Sequence, residues 1–347
     1  MKKIGLLLAV CLLVFSAMPV CSLGEPYTLR FDNKVANWAD NPWVILHGNV
    51  YYYCWAGKEG VCVARFRNLP DLGYGLENLP YNEVVQARTV WMPDEKEEYS
   101  QHLSAPELHF LDGRWYIYVS ADDGEEANRR MLCLEGKSDD PLDGFTVKSV
   151  LRAKTDRWAT DGTVLKLKKN LYFIWSGWDG KKAGAQNLYI AKMKNPWTIS
   201  GERELICEPE FSWEKKGGKI NEAPELLVLG KQVHLTYSAS ISTSDDCVLG
   251  MLSLTGSDPM KKDSWTKSTA PVFWKVEKAY GPSHACFTTS PDGETLFMVF
   301  QANEKFNAGK KGRRLWVQKY TVSAKNYPIF GKPYPAGTFQ TVPVNWQ

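Results

Sequence analysis

Acidic residues recur at one point of a repeated pattern in this chain. Asp40 and Asp161 each lie 10 residues, and Glu222 lies 11, before a strand-like run rich in aromatic and β-branched side chains, while His284 lies 12 before another. Carboxyl groups brought together can divide the work of glycoside hydrolysis, because a protonated carboxyl donates to the leaving oxygen and an ionised one activates water. The structural alternative is that these groups only hydrogen-bond the ends of strands.

The strand-like runs form a repeat along the chain. Each run follows a Gly, Asp or Asn turn signal, and the intervals between successive runs are 65, 56, 62 and 63 residues. Five such units with almost no helical periodicity predict an all-β fold, a five-bladed β-propeller of four-stranded blades. A β-sandwich is the competing fold, but sandwiches do not usually repeat one unit five times. The runs begin at Val50, Trp115, Leu171, Val233 and Leu296.

The propeller geometry would bring the polar residues of different repeats together. In this fold the first strand of each blade lines the central channel, so equivalent positions converge on one axis. We therefore expect Asp40, Asp161, Glu222 and His284 at one mouth of the channel. Repulsion and partial burial there would raise the pKa of at least one carboxyl group. Glu222 is in register with the others, so we expect Glu225 to face away or to cap a blade.

The N-terminus has the pattern of an export signal. Two lysines precede the apolar stretch 4–17, which is too short to span a bilayer. We assign residues 1–23 to a signal peptide and 24–347 to a single propeller domain, and we expect a periplasmic or secreted protein. Lipid anchoring at Cys21 is the alternative, but Pro19 and Val20 stand where small residues are wanted. No later segment is apolar enough to cross a membrane.

Charge and cysteine spacing exclude several classes of partner and cofactor. A net charge of +3 without a long basic run argues against nucleic acid. Six cysteines remain after the signal peptide, and the absence of a CxxC motif or a Cys/His cluster argues against zinc. We expect buried free thiols in strands, with a disulfide as the alternative in an exported chain. These cysteines are Cys54, Cys62, Cys133, Cys207, Cys247 and Cys286.

The chain resembles glycoside hydrolase family 43 between about residues 35 and 320. The resemblance is carried by an ordered set of segments, among them "ADNPWVI", "APELHFLDGRWYIYVSA", "TDGTVL", "INEAPELL" and "YGPSHACF". The family has a five-bladed propeller and an inverting mechanism. The arrangement looks most like the branch that contains exo-acting α-L-arabinofuranosidases.

This resemblance implies a role for each acidic residue of the mouth. Glu222 of "NEAPE" matches the general acid, Asp161 of "TDGTVL" matches the residue that orients and tunes that acid, and Asp40 matches the general base. The family usually has Asp directly before Pro, whereas Asn41 stands between Asp40 and Pro42. Either Asn41 occupies the base position and the water-activating carboxylate is lost, or a one-residue bulge lets Asp40 reach. We expect Asp40 to be the base.

Three further residues are candidates for substrate binding. By resemblance, His284 touches substrate or holds water around a central ion, and Arg313 lies near the sugar. Trp178 follows a strand in a loop where its ring could stack on a furanose. The alternatives are a structural histidine, a surface cation and plain packing. No cofactor is required, no metal-ligand motif is assigned, and a calcium or other ion near His284 is compatible with the resemblance.

These observations lead to one expected function and several rivals. We expect an inverting glycosidase that releases L-arabinofuranose from arabinan or arabinose-decorated plant polysaccharide. The rivals on the same fold are a β-xylosidase and an endo-arabinanase, because loops shape the sugar pocket and catalytic residues do not distinguish them. A rival of another class is a catalytically degenerate propeller that binds glycans. All of them have plant cell-wall polysaccharide or oligosaccharide as the partner.

Overall fold

The computed structural model describes residues 30–73, 85–94 and 96–342, and their regular structure is nearly all β-strand. The signal peptide predicted over residues 1–23 lies outside these ranges, as do both ends of the domain assigned to 24–347. Within the described part of the chain, no helix combines the length and apolar character needed to cross a membrane.

Five antiparallel sheets surround a central axis and confirm the predicted five-bladed propeller. The first strands of neighbouring blades contact one another in a closed ring. Blades 1 to 3 are each built from four consecutive strands. Blade 1 comprises β3 (Trp43–His47), β4 (Val50–Ala56), β5 (Val61–Phe66) and β6 (Gln86–Trp91); blade 2 comprises β7 (Gln101–Leu111), β8 (Arg114–Asp122), β9 (Arg130–Gly136) and β10 (Phe145–Leu151); blade 3 comprises β11 (Ala159–Leu167), β12 (Asn170–Trp178), β13 (Gln186–Asn195) and β14 (Thr198–Cys207).

Blade 5 is completed by a strand from the start of the chain. Its first three strands are consecutive, and β2 (Lys34–Ala36) then pairs with β21 (Arg313–Val322), with Lys34 opposite Trp316. This closure was not predicted, because a strand of three residues has no detectable periodicity. Blade 4 comprises β15 (Asn221–Leu229), β16 (Gln232–Ala239), β17 (Val248–Leu254) and β18 (Trp265–Lys267); blade 5 comprises β19 (Tyr280–Thr289), β20 (Leu296–Asn303), β21 (Arg313–Val322) and β2; β22 (Pro328–Ile329) pairs with β21, and β1 (Arg30–Asp32) with β23 (Phe339–Thr341).

Packing on both faces explains why the strands read as continuous apolar runs. Each blade is covered by its two neighbours, so nearly every residue of β8 and β12 is buried. Large aromatic side chains, among them Tyr51, Tyr118 and Trp316, are fully buried between sheets. Short 3-10 helices lie at Glu126–Asn128, Ser212–Glu214, Lys262–Ser264 and Lys310–Gly312.

The cysteines follow the prediction of free thiols. All six cysteines of the described residues are unpaired, five of them are buried, and Cys62 is partly buried. Burial raises the pKa of these thiols, for example that of Cys207 to about 12. They therefore behave as small apolar side chains of the blades.

Candidate functional site

A bulge occurs at the same point of the first strand of blades 2 to 5, and Asn41, just before β3, is the corresponding residue of blade 1. In β15, for example, the chain advances from Glu222 to Glu225 while its partner advances only from Ser238 to Thr236. One residue in each blade adopts a left-handed backbone conformation there, which is costly for a residue other than glycine. Its repetition around the axis defines a set of equivalent positions that we call the mouth level. These residues are Asn41 (φ 52°), Ala105 (46°), Asp161 (51°), Ala223 (48°) and His284 (45°), and the mouth level consists of them together with the residue directly before each, which includes Asp40 and Glu222.

This register corrects the predicted alignment. Asp161 and His284 are equivalent to each other and to Asn41, whereas Glu222 and Asp40 lie one residue earlier in their blades. The counts of 10 for Asp161 and 11 for Glu222 contain this difference, because the turns after β11 and β15 are equally long, whereas a longer turn after β19 accounts for the count of 12 at His284. The residues equivalent to Glu222 are fixed by the pairs Ser104–Ser120, Thr160–Ser176, Glu222–Ser238 and Ser283–Gln301.

Asp161, Glu222 and His284 form a cluster at the mouth. One ligand atom from each lies within 4.8 Å of the others. Asp161 is buried, and its Oδ1 accepts a hydrogen bond from Thr160 Oγ1 (2.9 Å) while Oδ2 accepts one from the backbone N of Ala223 (3.1 Å). Burial raises the pKa of Asp161; the nearby His284 opposes the rise and repulsion from Glu222 adds to it. Asp161 therefore anchors the backbone directly after Glu222.

Glu222 has one carboxyl oxygen without a hydrogen-bond partner. Its Oε1 is buried, lies 3.6 Å from Nε2 of His284, and has no donor within hydrogen-bond distance in the described part of the chain. The backbone N of His284 is itself fixed by a 2.8 Å hydrogen bond to Ser238 Oγ. A buried, unpaired carboxyl oxygen is costly unless it carries a proton or contacts a ligand. The carboxyl group of Glu222 can therefore carry a proton.

Asp40 lies at the same mouth between two cations. Its side chain is 41% exposed, its Oδ1 accepts a hydrogen bond from Arg313 Nη1 (3.1 Å), and its Oδ2 lies 3.2 Å from Lys310 Nζ. Arg313 is buried against this carboxylate and is not a free surface cation. Lys310 was not predicted from the sequence. It belongs to a basic segment whose position shows no relation to the repeat.

Asn41 occupies the position in blade 1 that Asp161 occupies in blade 3. Its backbone N donates to Oε1 of the buried Gln301 (3.0 Å), and its Nδ2 donates to Ser104 Oγ (3.1 Å). An amide cannot accept a proton from water at neutral pH. Asp40 is therefore the acidic group that the residues just before blade 1 bring to the mouth.

A pocket of about 430 Å³ joins these groups. It is lined by Asp40, Asp161, Glu222, His284 and Arg313, so the three predicted carboxylates share one cavity. The volume is at the lower end of the range for small-molecule sites. The geometry therefore offers room for one sugar unit in contact with all three acids.

Trp158, and not Trp178, is the tryptophan that lines the pocket. Trp178 is buried and stacks on Trp158, with ring centroids 4.7 Å apart and an interplanar angle of 5°. Trp158 Nε1 donates to Glu126 Oε1 (3.2 Å), which fixes the ring. A signal for Trp158 was present, since it lies three residues before Asp161 in "RWATDG".

A second polar network at the pocket was missed by sequence reasoning. Asp122 is fully buried and lies 2.7 Å from His102 Nδ1 and 2.9 Å from Arg129 Nη2. Arg129 also donates to the backbone O of His102 (3.0 Å) and to Glu126. Since Nδ1 faces a carboxylate it carries the proton, which leaves Nε2 of this 58% exposed histidine for ligands. His102 lines the pocket and can bind a sugar hydroxyl.

Below the mouth the channel contains a second set of equivalent residues, which we call the deep level. Glu225 and Glu107 are both buried there, so the expectation that Glu225 faces away is wrong. The extra residue of the bulge turns Glu225 to the same side of the strand as Glu222. The deep level consists of Trp43, Glu107, Thr163, Glu225 and Cys286.

Burial dominates the protonation of the deep level. It raises the pKa of both Glu107 and Glu225 well above the usual value, and repulsion from Glu225 adds to the rise at Glu107. His109 Nε2 lies 2.9 Å from Glu107 Oε2, and burial lowers the pKa of His109 to about 3. The imidazole is therefore neutral at physiological pH.

An ion near His284 would have to be coordinated by the cluster at the mouth. Calcium takes six to eight oxygen ligands. Asp161, Glu222 and His284 supply two carboxylates and one nitrogen, and both oxygens of Asp161 already accept hydrogen bonds. These groups therefore fit a shared proton better than a resident calcium.

Comparison with known proteins identifies similar chains. A family model described as glycosyl hydrolases family 43 matches residues 31–328. An extracellular exo-α-(1→5)-L-arabinofuranosidase of Streptomyces avermitilis is 33% identical over 93% of this chain and 69% of its own length. The α-L-arabinofuranosidase 43 of Humicola insolens is 30% identical over 91% and 66%, so this chain spans about two thirds of both relatives. A solved α-L-arabinofuranosidase from Lactobacillus brevis superposes with a TM-score of 0.80 at 31% identity, over 89% of this chain and 98% of that one.

Proposed function

The chain belongs to family 43 of the glycosyl hydrolases, and from that membership we propose that it releases L-arabinofuranose from arabinan or arabinose-decorated plant polysaccharide with inversion at the anomeric carbon. The observation that carries this proposal is the pocket in which Asp40, Asp161 and Glu222 meet. Support for the sugar comes from the relatives, whose names are those of arabinofuranosidases. Support for an extracellular or periplasmic location comes from the N-terminal pattern of residues 1–23 and from the Streptomyces relative.

Glu222 is proposed as the general acid. Its carboxyl group lines the catalytic pocket and can carry the proton that passes to the leaving oxygen as the glycosidic C–O bond breaks. Asp161 positions this group through the hydrogen bond to Ala223 N, and its nearby negative charge favours the protonated form of the acid.

Asp40 is proposed as the general base. It takes a proton from the water whose oxygen forms the new bond to the anomeric carbon, on the face opposite the leaving group. Arg313 and Lys310 hold the carboxylate in place, and Asn41 beside it can orient the water by hydrogen bonding. After product release, Glu222 regains a proton and Asp40 loses one to solvent, so the protons balance.

A proton NMR time course on α-1,5-linked arabino-oligosaccharide tests the proposal. The expected result is release of single arabinose units in which the β-anomer forms first and then mutarotates. Release of the α-anomer first would overturn inversion. Parallel assays with linear arabinan and an aryl β-xyloside test the two rival activities: internal cleavage or xylose release would replace the proposed substrate.

A second candidate function is glycan binding without hydrolysis. The observation that favours it is Asn41, because an amide stands where the equivalent position of blade 3 has a carboxylate. This candidate predicts saturable binding of arabino-oligosaccharide in calorimetry with no product in the NMR time course. Detectable turnover that is lost in Asp40→Asn would exclude it.

A further inference from the structure

A second pocket lies at the same end of blade 4 as the catalytic pocket. Its volume is about 340 Å³. Val248 in its wall pairs with Ala239, which in turn pairs with Asn221 beside Glu222. Two inter-strand spacings therefore separate it from the catalytic strand, a distance of about 10 Å. We call it the tryptophan groove, and it is lined chiefly by Trp213, Lys216, Asp246, Val248, Pro271 and Trp274.

Two tryptophans give the groove its character. Trp274 is 42% exposed, although large apolar side chains are mostly buried in this propeller. Trp213 is half-buried, is stacked on Phe211 and Tyr237, and donates from Nε1 to the backbone O of Thr269 (3.2 Å). Exposed indole surface in a concave site is favourable for a ligand with a flat apolar face.

Charged groups border the aromatic surface. Asp246 Oδ1 lies 2.8 Å from Lys275 Nζ and 3.5 Å from Lys216 Nζ, and all three residues line the groove. They present both donors and acceptors within a small area. A saccharide has the matching chemistry, because its C–H face can stack on indole while its hydroxyls bond to ammonium and carboxylate groups.

The wall between the two pockets is a single ordered loop. Ser242 and Thr243 of this loop line the catalytic pocket, while Asp246 lines the tryptophan groove. The loop is fixed at its base by the buried Ser240, whose Oγ donates to Trp213 O (2.8 Å) and accepts from the backbone N of Lys216 (3.2 Å). A ligand that left the catalytic pocket over this loop would meet the groove directly.

We propose that the tryptophan groove is a remote saccharide subsite, which holds the chain of an arabinan whose terminal unit occupies the catalytic pocket. The inference rests on the proposed function for the identity of the glycan and deepens it, since it makes a polysaccharide the preferred substrate over a short one. Trp274 is the stacking platform, and the Lys275–Asp246–Lys216 group contacts hydroxyls.

The test separates polymer binding from chemistry in the pocket. Affinity gel electrophoresis with debranched arabinan is run on full-length Glu222→Gln, which is expected not to consume the ligand, with and without Trp274→Ala. Loss of the stacked ring is expected to weaken arabinan binding about tenfold. Trp274→Tyr keeps an aromatic ring and should retain most of the binding. In the active background, Trp274→Ala should leave kcat/KM for 4-nitrophenyl α-L-arabinofuranoside within about twofold.

Phe339→Ala is the matched control, because Phe339 is an exposed aromatic residue on β23, outside the groove. Equal arabinan binding with and without Trp274→Ala would overturn the inference, as would an equal loss in Phe339→Ala. If the proposed function is wrong, the protein hydrolyses no aryl arabinofuranoside. Binding to another glycan, such as xylan, would then still depend on Trp274 and would support the groove as a saccharide subsite.

Discussion

The mouth level and the deep level of the channel contain the same kinds of acid in different surroundings. Glu222 and Glu225 lie three residues apart in one strand and face the same side. Glu222 opens into a pocket of about 430 Å³, whereas Glu225 borders a cavity of about 20 Å³, which has room for a single water. Substrate can reach the first carboxyl and not the second.

The comparison shows that access, and not the size of the pKa shift, distinguishes a candidate catalytic acid in this channel. Burial raises the pKa of both Glu107 and Glu225 well above the usual range. A search that ranked carboxyl groups by perturbation would therefore select the deep level. The mouth level instead offers hydrogen-bond donors to Asp161, cations to Asp40 and open space beside Glu222.

The largest expected difference between the two levels is in turnover. Glu222→Gln should reduce kcat on arabino-oligosaccharide about 10³- to 10⁴-fold, because protonation of a poor leaving group is lost. The loss should be much smaller on a 2,4-dinitrophenyl arabinofuranoside, whose leaving group needs no proton. Glu225→Gln is the matched control in the same strand, and its kcat should change by no more than about threefold. Similar losses in both variants would remove the distinction between the levels.

Loss of the general base should affect kcat differently from loss of the general acid when the leaving group is varied. Asp40→Asn is expected to lower kcat about 10²- to 10³-fold on both good and poor leaving groups, since water must be activated in each case. Asn41→Asp in the Asp40→Asn background places a carboxylate at the mouth level, and recovery of turnover there would assign the base position to residue 41. Wild-type turnover in Asp40→Asn would refute the role of Asp40.

Asp161→Asn should have a smaller effect on rate and a visible effect on pH dependence. The variant keeps an acceptor for the backbone N of Ala223 but removes the charge beside Glu222. We expect kcat to fall about 10²-fold and the alkaline limb of the pH–kcat profile to move to lower pH, because the acid loses its proton more readily. A profile that keeps its limbs while kcat falls would restrict Asp161 to a purely geometric role.

A substitution at the deep level should change the free energy of unfolding and not turnover. Because the folded-state pKa of Glu225 is raised, its contribution to stability is present below the unfolded pKa of about 4.3 and is lost as the pH rises towards the folded value. Glu225→Gln removes that loss. The free energy of unfolding of the variant relative to wild type should therefore increase between pH 4 and pH 7.5. Urea denaturation at the two pH values measures it, and a gain that shrinks with rising pH would contradict the burial argument.

Much of the fold could be predicted because each blade is buried on both faces. The runs that begin at Val50 and Trp115, for example, are strands β4 and β8, and their continuous apolar character is visible in the sequence. The closing strand β2 could not be predicted in the same way. Three residues have no measurable period, and their place in blade 5 depends on a contact with the other end of the chain.

The site was predictable only as far as the repeat extends. Asp161 and Glu222 could be brought to one mouth from their spacing, and the bulge leaves their relative register unchanged because β11 and β15 both contain it. His102 and Trp158 were missed because the comparison of the repeats followed their acidic position, and neither residue is acidic. Glu225 was misplaced because the extra residue of the bulge is not visible in the sequence, and a regular strand would have turned Glu225 away from Glu222.

During synthesis, the strand that completes the last blade is made first. β2 leaves the ribosome early, and Trp316 follows its partner Lys34 by 282 positions (316 minus 34). Pairing over such a distance forms late, because a long loop must close before the contact can stabilise the chain. Asp40 and Arg313 stand on opposite sides of that seam. A chain in which this seam is open would therefore leave Asp40 without the contacts to Arg313 and Lys310 that hold its carboxylate.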